Sequence, residues 1–115
     1  MRTIYTSGPI TAPTLRDRRK NIAVARRYAK KLWHIGFGVL CPHLNDGGME
    51  LEGTPYETLM EFDLKMCELL DCIFMLPRWK RSPGAKRELK RALAHNKIAF
   101  YSLKDAKEWI EKNND

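Results

Sequence analysis

The sequence predicts an α/β fold in which helices cover both faces of a parallel sheet of about four strands. Short apolar segments alternate with longer amphipathic segments four times along the chain. Strands separated by helices pair in parallel through right-handed crossovers. A length of 115 residues suits one domain with a core of its own. We therefore expect residues 1–115 to form a single doubly wound domain, Rossmann-like or flavodoxin-like.

The first strand is predicted at about residues 2–7. The helix after it starts near Thr14, because Asp17 three residues later resembles a capping box, and it stops at Gly36. A second strand, Phe37–Cys41, ends at a proline.

The second helix has a strong start signal after a polar loop. Thr54 is the expected cap, Pro55 occupies the first helical position and Glu57 the third. The apolar periodicity carries this helix to about Leu70.

The remaining elements follow the same alternation. A third strand is predicted at Asp71–Leu76 and a third helix from Pro83 to about His95. A fourth strand, Lys97–Tyr101, leads to a last helix capped by Ser102. With the first strand near the centre, the strand order is 2-1-3-4.

That order places a topological switch point between the first and third strands. Ligands of doubly wound sheets bind at such points, beyond the carboxyl ends of the strands. The segments Tyr5–Ile10 and Arg78–Glu88 would meet there. We therefore expect a small-molecule site between these two strand exits.

Glu88 is the first candidate catalytic residue. The sequence Ser82-Pro83-Gly84 opens its helix, and a helix start gathers free N–H groups that favour anions and an ionised carboxylate. Small residues one turn before and after Glu88 leave room for a ligand. The alternative is an exposed helical Glu paired with Arg91 or Lys86.

Asp63 is the second candidate. Its helical neighbours are apolar, so its side chain is expected to point inward, where a carboxyl needs a partner or a function. It is either a structural acid that binds backbone N–H groups or an acid that contacts a sugar or transfers a proton. Asp71, at the start of the third strand, is expected to be structural.

Five further residues are candidates with a plain structural alternative. Tyr5 is either a core aromatic or a phenol that holds a carboxylate. Ser82 caps a helix, a geometry that also binds phosphate. Trp79 lies in a basic loop, where it is expected to cover a base or contact a partner. His43 and Asn45 follow the second strand and are candidates for base contacts.

The net charge of +7 is unevenly distributed. Residues 16–31 carry eight Lys or Arg and one acid, residues 46–71 eight acids and one Lys, and residues 76–91 seven Lys or Arg and one acid. The basic segments surround the two strand exits, as a phosphate-bearing ligand would favour. A solvated basic surface is the plainer alternative, and nucleic-acid binding is compatible with charge alone.

The cysteine content favours a cytoplasmic protein. Three cysteines, without a CxxC pair, lie in apolar surroundings, which favours reduced thiols over disulfides or zinc. The chain start lacks the apolar segment of a signal peptide, and the longest apolar stretch, Leu69–Pro77, is too short to span a bilayer. We expect no metal, no cofactor and no membrane association.

Four ordered motifs resemble the nucleoside 2-deoxyribosyltransferase superfamily, which includes the 2′-deoxynucleoside 5′-monophosphate N-glycosidases. They are Tyr5-Thr-Ser-Gly-Pro, Asp63-Leu, Asp71-Cys-Ile-Phe-Met-Leu and Ser82-Pro-Gly-Ala-Lys-Arg-Glu88. The set covers nearly the whole chain, and it is most similar to small, often phage-borne members of that group. The resemblance implies the same doubly wound fold.

The resemblance also implies roles for individual residues. Glu88 would attack C1′ of the sugar, Tyr5 would orient that carboxylate, and Asp63 would engage the sugar or assist proton transfer. The two carboxyls should lie roughly 5 Å apart, as in retaining glycosidases. The residues implied to bind the 5′ end of the substrate are Ser7, Gly8, Pro9, Ile10, Ser82 and Gly84.

One position departs from the pattern of the monophosphate-specific members. They often carry an Arg just after the first loop, where Thr11 stands here. Arg16, Arg18 or Arg19 could replace it. The loop from Pro42 to Gly53 is short and does not identify base contacts.

The leading interpretation is an enzyme, an N-glycosidase or deoxyribosyltransferase, that cleaves or transfers the N-glycosidic bond of a nucleoside or nucleoside 5′-monophosphate. One alternative is a non-catalytic nucleotide-binding or sensing module of the same fold. A basic nucleic-acid-binding protein is disfavoured, because the acidic middle segment interrupts a continuous basic track. The resemblance further implies a homodimer or larger homo-oligomer.

Overall fold

Four parallel strands form the centre of the molecule, and helices lie on both faces. The computed structural model describes residues 1–47 and 53–113. The elements are, in chain order, β1 (Thr3–Ser7), α1 (Leu15–His34), β2 (Gly38–Leu40), a π-helical turn (His43–Gly47), α2 (Tyr56–Leu69), β3 (Cys72–Met75), a 3-10 turn (Trp79–Arg81), α3 (Pro83–Ala94), β4 (Ile98–Phe100) and α4 (Leu103–Asn113).

The strand order is β2-β1-β3-β4, and every neighbouring pair is parallel. This confirms the predicted fold class and strand order. The strands are a residue or two shorter than predicted, because the outermost residues of each apolar segment lie beyond the ladder. None of the helices in the described part of the chain has the length and apolar character needed to cross a membrane.

Alternate residues of the strands pack into two separate hydrophobic clusters, one on each face of the sheet. Ile4 and Phe74 face a cluster that includes Leu32 of α1 and Ile110 of α4. Tyr5 and its neighbours on β3 face a second cluster completed by α2 and α3. Because successive strand residues point to opposite faces, each strand contributes to both layers. All four residues of β3 are buried, as is typical of a central parallel strand.

Three of the predicted helix caps are confirmed. The hydroxyl oxygens of Thr14, Ser82 and Ser102 accept hydrogen bonds from the backbone N–H three residues further on, at 3.1, 3.1 and 3.2 Å. Each bond satisfies a donor that the first helical turn leaves without a partner.

The predicted cap of the second helix is wrong by one residue. Pro55 occupies the cap position of α2, without a side-chain cap bond, and the helix begins at Tyr56. The backbone of Pro55 is extended (ψ 141°), so this residue cannot be the first helical one. Thr54 therefore lies outside the helix.

Asp71 joins the first strand to the end of the second helix, as its position predicted. Its Oδ2 accepts hydrogen bonds from the backbone N–H and the hydroxyl of Thr3, at 2.8 and 3.1 Å. Its own backbone N–H donates to the Thr3 hydroxyl at 3.0 Å. These bonds fix β1 against the start of β3, which are the two strands that carry the site.

We expect Asp71→Ala to lower the free energy of unfolding by about 1–3 kcal/mol, because it leaves two part-buried donors of Thr3 without their acceptor. Urea denaturation followed by circular dichroism measures the change. Glu108→Ala, at an exposed acid in the middle of α4, should stay within about 0.5 kcal/mol of the wild type. Equal stabilities of Asp71→Ala and wild type would contradict the structural role.

Candidate active site

A pocket of about 900 Å³ lies at the switch point, beyond the carboxyl ends of β1 and β3. Its walls come from the loop after β1, the first turns of α1, the turn after β2, and the facing surfaces of α2 and α3. The volume is in the range of small-molecule sites. The predicted location of the site is where this pocket lies.

Two hydroxyl groups hold Glu88 at the bottom of the pocket. The Tyr5 hydroxyl donates to Oε2 at 2.7 Å, and the Ser7 hydroxyl donates to Oε1 at 2.5 Å. Tyr5 and Ser7 are two residues apart on β1, so both side chains point to the same face of the sheet. Glu88 is only 6% exposed, although it lines the pocket.

The alternative of an exposed helical Glu88 is therefore wrong. Arg91 instead donates to Glu68 on α2, at 2.7 Å. Glu88 shares a helix face with Ala85 and Ala92, both fully buried, and this face packs on the sheet. The small neighbours allow α3 to approach β1 closely enough for the three side chains to meet.

The Tyr5 hydroxyl keeps its proton in the hydrogen bond to Glu88. Burial raises its pKa well above the usual value, and the charges of Glu88 and Asp63 raise it further. The phenol therefore stays protonated through the neutral range and keeps its bond to Glu88. Its side chain is fully buried, and it lies in the wall of the pocket beside Glu88.

Asp63 provides a second carboxyl in the same pocket. It is 6% exposed and lines the pocket from α2, which confirms the predicted inward orientation. Cys67 lies one turn further along α2, close enough to both acids for their charges to affect the pKa of its thiol. Burial raises its pKa most, and Glu88 and Asp63 raise it further, so the thiol stays protonated. The two carboxyls thus share one electrostatic environment.

The rim of the pocket has the opposite charge. Arg18 and Arg19 of α1 and Arg81 before α3 line it, and all three are exposed. Of the cations proposed from the sequence to replace an Arg at Thr11, two therefore reach the pocket, whereas Arg16 is not among its lining residues. The acidic side chains thus lie at the bottom of the pocket and the basic side chains at its rim. We call this separation the charge gradient of the pocket.

The start of α3 completes the wall beside Arg81. Ser82 and Gly84 both line the pocket. A Cβ on Gly84 would lie 3.0 Å from the hydroxyl of Tyr56 and 3.1 Å from Cε of Met60. Glycine at this position therefore lets α2 approach the helix start and brings Tyr56 into the pocket wall.

His43 lines the pocket but also has a structural role. Its Nε2 lies 2.9 Å from the carbonyl oxygen of Pro9, and since a carbonyl only accepts, Nε2 carries the proton. Burial lowers its pKa to about 4, so the imidazole is neutral at pH 7. His43 thereby ties the loop after β1 to the exit of β2.

Most of the predicted site residues meet in this one pocket. Those among its lining residues are Tyr5, Gly8, Pro9, Ile10, His43, Asp63, Ser82, Gly84 and Glu88.

Three predicted substrate contacts lie elsewhere. Ser7 is buried below the pocket, because its hydroxyl is turned to Glu88. Asn45 lies in the π-helical turn and is not a lining residue. Trp79 is also outside the pocket: the left-handed backbone of Arg78 (φ 65°) turns the chain, and the indole packs against Tyr101 after β4.

Several residues that line the pocket were not predicted from the sequence. Tyr56, Leu59 and Met60 supply an apolar wall from α2, and Leu15 and Ile22 supply another from α1. The usable signal was the spacing of Tyr56, Met60 and Asp63, which places them on one side of a helix. Within residues 1–47 and 53–113, no group of three or more His, Cys, Asp or Glu side chains is arranged to hold a metal ion.

Fold and pocket together define a single-sheet α/β protein with a buried, hydroxyl-bonded carboxylate at its switch point. Residues 2–101 match the model of a family described as a domain of unknown function, DUF4406, and the chain belongs to that family. The match extends from β1 beyond β4, so it includes every element that builds the pocket. No curated protein matches the chain.

Proposed function

We propose that the protein cleaves or transfers the N-glycosidic bond of a nucleoside 5′-monophosphate, with Glu88 as nucleophile. The observation that carries this proposal is the buried carboxylate that lines a large pocket and is held by two hydroxyl donors. A nucleophile fixed in one orientation loses little freedom when it attacks. The resemblance to the nucleoside 2-deoxyribosyltransferases supports the same residue and the same reaction.

The proposed reaction has two steps. An oxygen of Glu88 bonds to C1′ as the bond from C1′ to the base nitrogen breaks, and the base leaves with that electron pair and takes up a proton. Water, or a second base, then bonds to C1′, loses a proton and releases the Glu88 carboxylate. Water gives hydrolysis, and a second base gives transfer.

The charge gradient orients the substrate in this proposal. The exposed guanidinium groups of Arg18, Arg19 and Arg81, with the start of α3, attract the 5′-phosphate. The same phosphate would be repelled by the Glu88 carboxylate at the bottom of the pocket. The sugar is thereby placed between the two regions, with C1′ next to Glu88. This separation supports a monophosphate over an uncharged nucleoside.

We expect wild-type protein to release free base from nucleoside 5′-monophosphates faster than from the matching nucleosides, because only the former engage the rim. Chromatography of a panel of ribo- and deoxyribonucleosides, with and without 5′-phosphate, measures release. The difference should shrink as salt is raised, since exposed cations are screened. A panel without any released base, both in the absence and in the presence of a second free base, would contradict the proposed reaction.

Binding without turnover is the second candidate. It is favoured by one observation: both oxygens of Glu88 already accept hydrogen bonds, as in a purely structural carboxylate. In that case a monophosphate would raise the melting temperature, no base would appear, and Glu88→Gln would bind as tightly as wild type.

We also propose a homodimer, as the resemblance implies, and a cytoplasmic location, which the three free, buried cysteines favour. Phe62 and Leu69 are 47% and 59% exposed and lie seven residues apart on α2, so they form apolar surface on one side of that helix. Sedimentation velocity measures the oligomeric state.

A further inference from the structure

A second cavity, of about 410 Å³, lies beyond the ends of β3 and β4. We call it the crevice. Its walls are Tyr28 of α1, the end of β3, the segment from Pro77 to Arg81, and Tyr101 after β4. Like the first pocket, it opens at the carboxyl ends of parallel strands, next to the switch point between β1 and β3. The proposed reaction at Glu88 does not use it.

Four aromatic residues line this crevice: Tyr28, Phe74, Trp79 and Tyr101. The rings of Trp79 and Tyr101 lie with their centroids 5.8 Å apart and are tilted by 40°. Tyr28 packs on Phe74 with a centroid distance of 5.7 Å. Tyr101 is nevertheless 56% exposed, so its ring is not consumed by core packing. Tyr28 and Trp79 are half-buried and pack against the two hydrophobic clusters, so the exposed part of the Trp79–Tyr101 pair is the surface suited to stack on a planar ring.

Cations surround these rings. Arg78, Lys80 and Arg81 line the crevice, and among its described lining residues there is no acid. The ammonium of Lys80 lies 5.8 Å from the Trp79 ring centroid, and that of Lys31 lies 5.9 Å from the Tyr28 ring centroid. Aromatic faces among positive charges match a ligand that combines a planar ring with an anionic group.

Arg81 is a wall of both cavities. Arg81 is exposed and lies between the first pocket, where the proposed monophosphate binds, and the aromatic rings of the crevice. Groups linked to a phosphate that is bound at Arg81 can therefore enter either cavity. A ligand with one phosphate-linked ring in each cavity would use the full set of cations.

We propose that the crevice binds the second half of a dinucleotide, a ligand whose two nucleosides are joined through phosphates. One nucleoside occupies the first pocket, the phosphates contact Arg81, and the base of the second nucleoside stacks on Trp79 and Tyr101. The proposal rests on the proposed function for the occupant of the first pocket. It extends that function to a larger substrate class.

The test compares two probes on the Glu88→Gln protein, in which the substrate is not consumed. Calorimetry measures the affinities for adenosine 5′-monophosphate and for two adenosines joined by a 5′–5′ pyrophosphate. We expect the dinucleotide to bind roughly tenfold more tightly, the effect of one additional base–aromatic stack. In Trp79→Ala the ratio of the two affinities should fall towards one.

Trp33→Ala is the matched control. Trp33 is 54% exposed on α1 and lines neither cavity, so the ratio of affinities should stay at its original value. Tyr101→Ala, at a more exposed ring, is a second variant in case Trp79→Ala fails to fold, which circular dichroism reveals. It should lower the ratio in the same direction.

The outcomes separate this inference from the proposed function. A ratio of one, or a ratio that neither aromatic variant changes, overturns the crevice as a subsite, whether or not wild type releases base. A ratio that depends on Trp79, together with a wild-type protein that releases no base from either probe, supports the crevice and counts against catalysis.

Discussion

Glu88→Gln is expected to abolish base release, with a loss in kcat on the order of 10³-fold or more, as removal of a covalent nucleophile causes. The amide has the size of the carboxylate and can still contact the hydroxyls of Tyr5 and Ser7, so the fold should persist. It lacks the negative charge and the nucleophilic oxygen. Initial rates of base release, measured at a saturating monophosphate, give the loss.

The control is Glu108→Gln, at an exposed acid of α4 that lines neither cavity. It should leave the rate within twofold of wild type, an expected difference of less than about 0.5 kcal/mol in activation free energy. Mass spectrometry of acid-quenched wild type should find the sugar attached to Glu88. Attachment to another residue, or unchanged turnover in Glu88→Gln, would exclude Glu88 as nucleophile.

The local features of this molecule were predictable because they depend on short-range rules. Thr14, Ser82 and Ser102 cap helices through bonds to residues three positions away. The sheet order followed from strand–helix alternation and the handedness of crossovers. The inward direction of Asp63 followed from the apolar residues one turn before and after it.

The direction of side chains in loops was not predictable in the same way. Trp79 was expected at the ligand, but one left-handed residue, Arg78, sends it to the neighbouring crevice. Ser7 was expected to bind the 5′ end of a ligand. The period of two in β1 places it beside Tyr5 instead, where it donates to Glu88. Such contacts depend on the three-dimensional distance between elements, which spacing alone does not give.

The charge gradient of the pocket was predictable only in part. The basic segments were evident, and two of three proposed Arg residues reach the rim. Arg81 was not singled out, because its direction depends on the 3-10 turn that precedes α3. Its place between two cavities makes it the residue through which a longer ligand would be recognised.

Asp63→Asn is expected to lower kcat/KM by roughly 10²–10⁴-fold if Asp63 supplies the proton that the departing base requires. The carboxyl lines the pocket and lies close enough to Glu88 for both to raise the pKa of Tyr5 and of Cys67. One nucleophile and one proton donor at the same sugar would be the two carboxyls of a retaining mechanism. Rates for a series of monophosphates with progressively better leaving bases measure the effect.

A leaving-group series distinguishes the two roles that Asp63 can have. A proton donor becomes unnecessary when the base departs readily as an anion or a neutral molecule, so the loss should be largest for poor leaving bases and small for good ones. An acid that binds the sugar would cause the same loss throughout the series. Glu61→Gln, an exposed acid on the same helix, is the control and should match wild type. Full activity of Asp63→Asn on every substrate would leave Asp63 as a structural acid, and the reaction would then depend on Glu88 and water alone.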